Sequence, residues 1–293
     1  MYKALADAIR DAEARGVPLS TVALELESAD QGRPVAEIRE ALGRALAVMR
    51  SAVDQGMVGD LYSASGLVGG DAARLRTGAA GPLADTPFRD ILARALAVQE
   101  VNAAMGVIVA APTAGGAGVL PAVLTGLASA RGISDERLVD ALATAGLIGA
   151  VIAERASLSG AEGGCQAETG AGTSMAAGAS VEMLGGSPTQ AGHAVALSLQ
   201  GMLGLVCDPL GGLVELPCVY RNATGSAIAL AGIEMAMAGI TFAIPVDEVI
   251  DVMGEIGREM DVRYRETAGG GLAATPTGRR LARERLYQIK RSD

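Results

Sequence analysis

Asp135 to Ala156 reads DERLVDALATAGLIGAVIAERA, directly after Ser134. Ser is a favoured residue just ahead of a helix, and two acids in the first turn sit where the helix dipole attracts negative charge. The apolar residues that follow show no period-2 alternation, and the run is too long and too Ala-rich for a strand. It predicts a helix, and its pattern recurs along the chain.

Working outward, Pro34 opens VAEIREALGRALAVMRSAVDQG, with Gly56 at its stop. Thr86-Pro87 opens FRDILARALAVQEVNAAMG, with Thr as N-cap and Pro at the first helical position. Ser187-Pro188-Thr189-Gln190 has capping-box spacing and opens a helix running to about Val206. Pro217 opens another towards Ala238, and Pro245 to Met260 and Thr275 to Lys290 supply the last two. The expected fold is all-α, a single domain over residues 1–293. The more charged residues 1–60 are a candidate peripheral helical lobe.

Composition narrows the function classes. Half of the 293 residues are hydrophobic but only 2% are aromatic, and Gly numbers 40. Small side chains at that density suit closely packed helices. The net charge of −9 and thinly spread Arg argue against nucleic acid, whose phosphates demand clustered cations. The densest basic stretch, Arg279 to Arg291, reads as the solvated face of a terminal helix. Mean hydropathy is +0.33, and Gly225 to Pro245 is long enough to span a bilayer. That segment carries Glu234 and lacks positive flanks and an aromatic belt, so a buried helix fits it better. The N-terminus is charged and amphipathic, unlike a secretory signal, which points to the cytoplasm.

Gly-rich loops separate the helices: Ser63 to Asp71, Ala111 to Gly118, Ser159 to Gly172, Cys207 to Gly212, and Ala268 to Gly271. They suggest one centre where backbones approach a compact ligand; helix C-caps and turns are the plainer account. The chain has three cysteines, and an odd count without an export signal argues against a disulfide framework. Cys165 follows a double Gly, Cys207 ends a predicted helix, and Cys218 starts the next. All three therefore fall at loop–helix junctions, where a helix N-terminus favours the thiolate that metals need. Bound metal and inert core thiols both remain open on this pattern. The spacing, 41 residues and then 10, is not that of a zinc ribbon or a simple ferredoxin. His193, the only histidine, could complete a zinc site or face a cleft.

Four motifs then carry a resemblance. SGLVGGDAARL starts at Ser65, and AVQEVNAAMGVIVAAPTAGGAGVLPAVL at Ala97. AERASLSGAEGGCQAETGAGTSMAAGA starts at Ala153, and GLVCDPLGGLVELPCVYRNATGSA at Gly204. The run from about Ser63 to Gly278 resembles the alpha subunit of the iron–sulfur-dependent L-serine dehydratases, or L-serine ammonia-lyases.

The resemblance implies an all-α catalytic subunit with a [4Fe-4S] cluster on Cys165, Cys207 and Cys218. It implies conversion of L-serine to pyruvate and ammonia through aminoacrylate, without pyridoxal phosphate, in serine degradation and gluconeogenesis. Three protein ligands leave one iron open as a Lewis acid for the substrate. Some single-chain members carry a C-terminal cysteine, and single-chain members carry a second domain with a Ser-Ser-His-Thr motif; neither occurs in this sequence. A separate beta subunit in a hetero-oligomer is therefore expected to supply that histidine. The expected substrate contacts are Ser65, Gly69, Gly70 and Asp71 for the amino group, and Thr113, Gly115 and Gly116 for the carboxylate. Asn222 and Thr224 are expected to face the cluster. The general base stays unassigned, with His193 the sole candidate in this chain. The alternatives are a cluster-dependent L-cysteine desulfidase, a zinc-stabilised subunit on three Cys and His193, and an electron-transfer subunit.

Overall fold

A computed structural model describes residues 2–78 and 81–289. The α-helices among them are α1 (Leu5–Arg15), α2 (Leu19–Gln31), α3 (Val35–Gly56), α4 (Asp71–Thr77), α5 (Pro87–Ala103), α6 (Val119–Arg131), α7 (Asp135–Arg155), α8 (Gly160–Gly163), α9 (Ala171–Met183), α10 (Pro188–Leu199), α11 (Cys218–Met237), α12 (Val246–Glu259) and α13 (Pro276–Ile289). The only β pairing among the described residues is two isolated bridges, Tyr62 with Gly69 and Cys207 with Arg265. The fold is all-α. No described helix is long and apolar enough to cross a membrane.

Two of the expected local caps form, whereas Ser134, at the N-cap of α7, makes no side-chain cap hydrogen bond. Thr86 Oγ1 accepts the N–H of Arg89, and Ser187 forms the full capping box with Gln190. Helix α10 nevertheless stops at Leu199 rather than near Val206. A short 3-10 turn, Gln200–Met202, follows it, and Gly204 then takes a left-handed φ of +79°. The basic tail is helical to Ile289, with Arg279, Arg280 and Arg283 exposed; Lys290 and Arg291 lie outside the described residues.

The fold is organised around α9, which packs against α6, α7, α10 and α11. Every α9 residue except Glu182 is buried. Its sequence, AGTSMAAGASVEM, has no polar face because none is needed. Small side chains let the neighbours come close. A Cβ on Gly178 would lie 2.5 Å from Ile148 Cδ1 of α7 and 2.8 Å from Val195 Cγ2 of α10. The first 56 residues add Leu5, Leu19, Val22, Ile38, Leu46 and Met49 to the buried cluster that contains α7, α9 and α10.

Three helices lack a side-chain cap of their own and receive one from far along the chain. Asp247 of α12 accepts the N–H groups of Leu5 (2.7 Å) and Ala6 (3.0 Å) at the start of α1. Glu182 of α9 accepts the Ser20 N–H at 3.2 Å in the first turn of α2. Glu100 of α5 accepts those of Asp71 (2.7 Å) and Ala72 (3.1 Å) at the start of α4. A carboxylate there satisfies orphan donors and meets the positive end of the dipole. Burial pushes the carboxyls of Glu100 and Glu182 up, and the donated N–H groups oppose that shift.

Asp247→Ala leaves two helical N–H groups without their acceptor. It is expected to cost about 1–2 kcal/mol, as for loss of an N-cap. The urea midpoint measures this, and Glu248→Ala, at the exposed neighbouring position, should leave it unchanged.

Candidate active site

Cys165 lies just past α8, after Gly164 with φ +74°, and begins a π-helical turn, Gln166–Gly170, that runs straight into α9. The segment Ser159 to Gly172, expected as a loop, is therefore mostly helical. Its glycines serve close packing in the core rather than chain reversal. The π turn is pinned by Gln166, wholly buried, which donates to Met253 O (3.0 Å) and accepts from Gly204 N (2.9 Å). π turns of this kind often mark functional sites.

The wide turn aims Glu168 inward. Its Oε1 accepts the Thr113 hydroxyl at 2.7 Å, and its Oε2 lies 4.0 Å from Cys207 Sγ. Glu266, at φ +65°, brings a third ligand atom. The ligand atoms of Glu168, Cys207 and Glu266 all lie within 4.8 Å of one another. Burial raises the Glu168 carboxyl above the usual range, and the Thr113 hydroxyl opposes it. Gly160 makes room for this meeting. A Cβ there would sit 2.5 Å from Glu168 Oε2 and 3.3 Å from Cys207 Sγ.

Cys207 lies in a loop, five residues beyond the 3-10 turn that ends the α10 segment. Its backbone is held on both sides: its N–H donates to Tyr264 O (2.8 Å), and its carbonyl accepts from Glu266 N (2.9 Å). Cys218 is the first residue of α11, as its sequence predicts. All three cysteines are buried. Burial raises each thiol. Cys165 and Cys218 push Cys207 further up, and Cys165 adds to burial in taking Cys218 to about 12. Arg221 works against this at Cys165 and Cys218. The guanidinium is fixed by Val206 O and by Asp208 Oδ1, each 2.8 Å from Nη1.

The expected substrate residues divide. Thr113 and Gly115 are brought to Glu168, and Gly116 lies against its backbone. The N–H groups of Thr113, Ala114, Gly115 and Gly116 have no acceptor among the described residues. Asn222 is fully occupied: Oδ1 accepts from Gly118 N (2.9 Å), and Nδ2 donates to Gly115 O (2.7 Å) and Cys218 O (2.9 Å). It clamps the glycine loop to α11. Thr224 is exposed and bonds Tyr220 O, because six residues along a helix from Cys218 is another face.

The Ser65–Asp71 loop flanks the Cys218 junction. Ser65 donates to the buried Glu215, Asp71 Oδ2 accepts the Tyr220 hydroxyl (2.9 Å), and Gly69 and Gly70 make the turn into α4. His193 is not brought to the thiols; its Nδ1 accepts the N–H of Phe242 at 3.3 Å. Among the described residues it shares no set of three metal-ligand atoms with any cysteine. The residues missed by sequence reasoning are Glu168, Glu266, Arg221 and Asp208. The available signal was charge inside Gly-rich, otherwise apolar motifs.

The family model described as serine dehydratase alpha chain matches residues 14–273. A Bacillus subtilis protein named as a probable L-serine dehydratase alpha chain is 46% identical, with 97% of this chain and 95% of the relative covered. The L-serine dehydratase alpha chain of Peptoniphilus asaccharolyticus is 39% identical, with 94% of each covered. An L-serine dehydratase of Streptomyces coelicolor is 43% identical over 89% of this chain but only 58% of its own length. With the family model and the relatives spanning the segments that carry the cysteines, Glu168 and the glycine loop, the chain belongs to the serine dehydratase alpha-chain family.

Proposed function

We propose that this chain is the catalytic alpha subunit of an iron–sulfur-dependent L-serine ammonia-lyase, working in the cytoplasm with a beta subunit. The observation that carries the reading is that all three cysteines are buried, with Cys207 Sγ 4.0 Å from Glu168 Oε2 and Glu168 in turn bonded to Thr113 of the glycine loop.

The donor set fits a [4Fe-4S] cluster held by Cys165, Cys207 and Cys218. Sulfur ligands are the soft donors that iron–sulfur clusters take. The three sulfurs are not mutually within 4.8 Å, whereas thiolates sharing one tetrahedral zinc at about 2.3 Å would be closer together. When bound, the cluster would offer an open iron as Lewis acid to the serine hydroxyl and carboxylate.

The chain's own residues bind and orient the substrate. The N–H groups from Thr113 to Gly116 are donors for the substrate carboxylate, preorganised because Asn222 and Gln99 hold the loop from behind. The Thr113 hydroxyl holds the Glu168 carboxylate, which would present negative charge to the substrate ammonium. Arg221 would offset the charge of the thiolates when they hold the cluster. The acceptor of the α-proton is assigned to the beta subunit, since His193 is turned to Phe242.

A second reading has its own observation: Glu168, Cys207 and Glu266 are spaced to hold a single divalent ion. Metal and sulfide analysis of anaerobically purified protein separates the two. Iron with equimolar sulfide supports the cluster, and one zinc or manganese per chain supports the single ion. Trials with L-serine, L-cysteine and L-threonine separate dehydration from desulfidation.

Cys165→Ala, Cys207→Ala and Cys218→Ala should each lose most of the iron and all pyruvate formation from L-serine. Full iron content and activity in Cys218→Ala would reject the ligand assignment. Gly160→Ala should keep the fold yet lower kcat by about 100-fold, the scale on which an ångström of misplacement acts. A kcat equal to that of the parent would show that the Glu168–Cys207 approach is not needed.

A further inference from the structure

One part of the surface serves neither the fold nor the site as described. Helix α5 ends at Ala103, and Met105 turns the chain out with φ +63°, unusual for a residue with a side chain. The following residues, Gly106-Val107-Ile108-Val109-Ala110, run without helix, turn or bend. The last backbone bond is Gly106 N to Val101 O, at 2.8 Å. From Val107 to Ala110 no N–H or C=O has a partner among the described residues.

The composition makes this unusual. Val107, Ile108 and Val109 are β-branched, and no charged residue occurs between Glu100 and Arg131. Met105 is 87% exposed and Val107 72% exposed, while Ile108 and Val109 hold the segment against the body. Proteins guard bare strand edges with Lys, Pro, bulges or a covering element, because an unpaired apolar edge invites another chain. Here no Lys or Pro lies within Met105 to Ala111.

We propose that Met105 to Ala110 is the docking edge for the beta subunit, which adds an extended strand to it by backbone hydrogen bonding. This deepens the two-subunit reading above and rests on it. Free donors and acceptors in a row are matched by a strand, with Met105 and Val107 as apolar anchors. A separate subunit is the occupant for two reasons. The chain spans 58% of the Streptomyces relative, in which the equivalent unit is joined to further chain. The edge also leads within three residues to Thr113, on the Glu168 carboxylate. A strand bound there brings the partner next to the Thr113–Glu168 pair, where a proton acceptor is needed.

The test uses the alpha chain alone and the heteromer obtained by anaerobic co-expression with a candidate beta subunit. Hydrogen–deuterium exchange of Val107 to Ala110 should slow at least tenfold in the heteromer. A photo-crosslinker at position 107 should give an alpha–beta adduct. Val107→Lys should weaken association at least tenfold with an unchanged urea midpoint, and Val252→Lys, on the exposed face of α12, should do neither. A heteromer that co-purifies with Val107 to Ala110 still exchanging freely overturns this docking edge and leaves the two-subunit reading intact. An adduct between alpha chains only overturns it in favour of self-association. No co-purification overturns both.

Discussion

The rest of the structure depends on the burial of α9 and on how the chain enters it. A helix buried on nearly every side can be surrounded only if its side chains are small, and its continuation backwards is the π turn that carries Cys165 and Glu168. Core and candidate site are thus one continuous piece of chain. The thiol and the carboxylate are as fixed as the best-packed helix in the molecule. Glu168 is held in a partly dehydrated position that a mobile loop could not maintain. Desolvation that would be costly for a lone carboxylate is offset by the Thr113 hydroxyl.

The same economy governs the outer helices. Asp247, Glu182 and Glu100 each leave their own helix to satisfy the first turn of another. A remote carboxylate contributes a tertiary contact as well as a cap, so α1, α2 and α4 are stabilised only when the whole chain is folded. The segments they open are charged and short, and isolated helices of that length are marginal in water. Their helicity is a consequence of the fold rather than a cause of it.

This explains what the sequence made legible. Helices that carry their own signals, Thr86-Pro87, Ser187 to Gln190 and the run after Ser134, are readable because the cause is local. Helices α1, α2, α6 and α9 are not, because their caps lie elsewhere in the chain or their composition lacks a polar face. The cysteines were readable as a set. Cys218 sits at a helix start as its neighbours imply, whereas the loop position of Cys207 depends on a pairing with Tyr264 and Glu266 that no local pattern encodes. Asn222 illustrates the converse. A polar residue one turn from a cysteine looks like a ligand contact, yet its three hydrogen bonds are spent on the backbone.

Polar side chains of the neighbouring segments, among them Ser65, Gln99 and Asn222, are used in holding loops. What they leave free is backbone: the N–H groups of Thr113 to Gly116 on the inside, and the edge from Val107 to Ala110 on the outside. The two sets lie on one stretch of chain, anchored to α5 behind and to α11 by Asn222 in front. A ligand on the inner donors and a chain on the outer edge would each restrict the same segment. Order imposed by one would lower the entropic cost of the other, which would couple the two events through this segment.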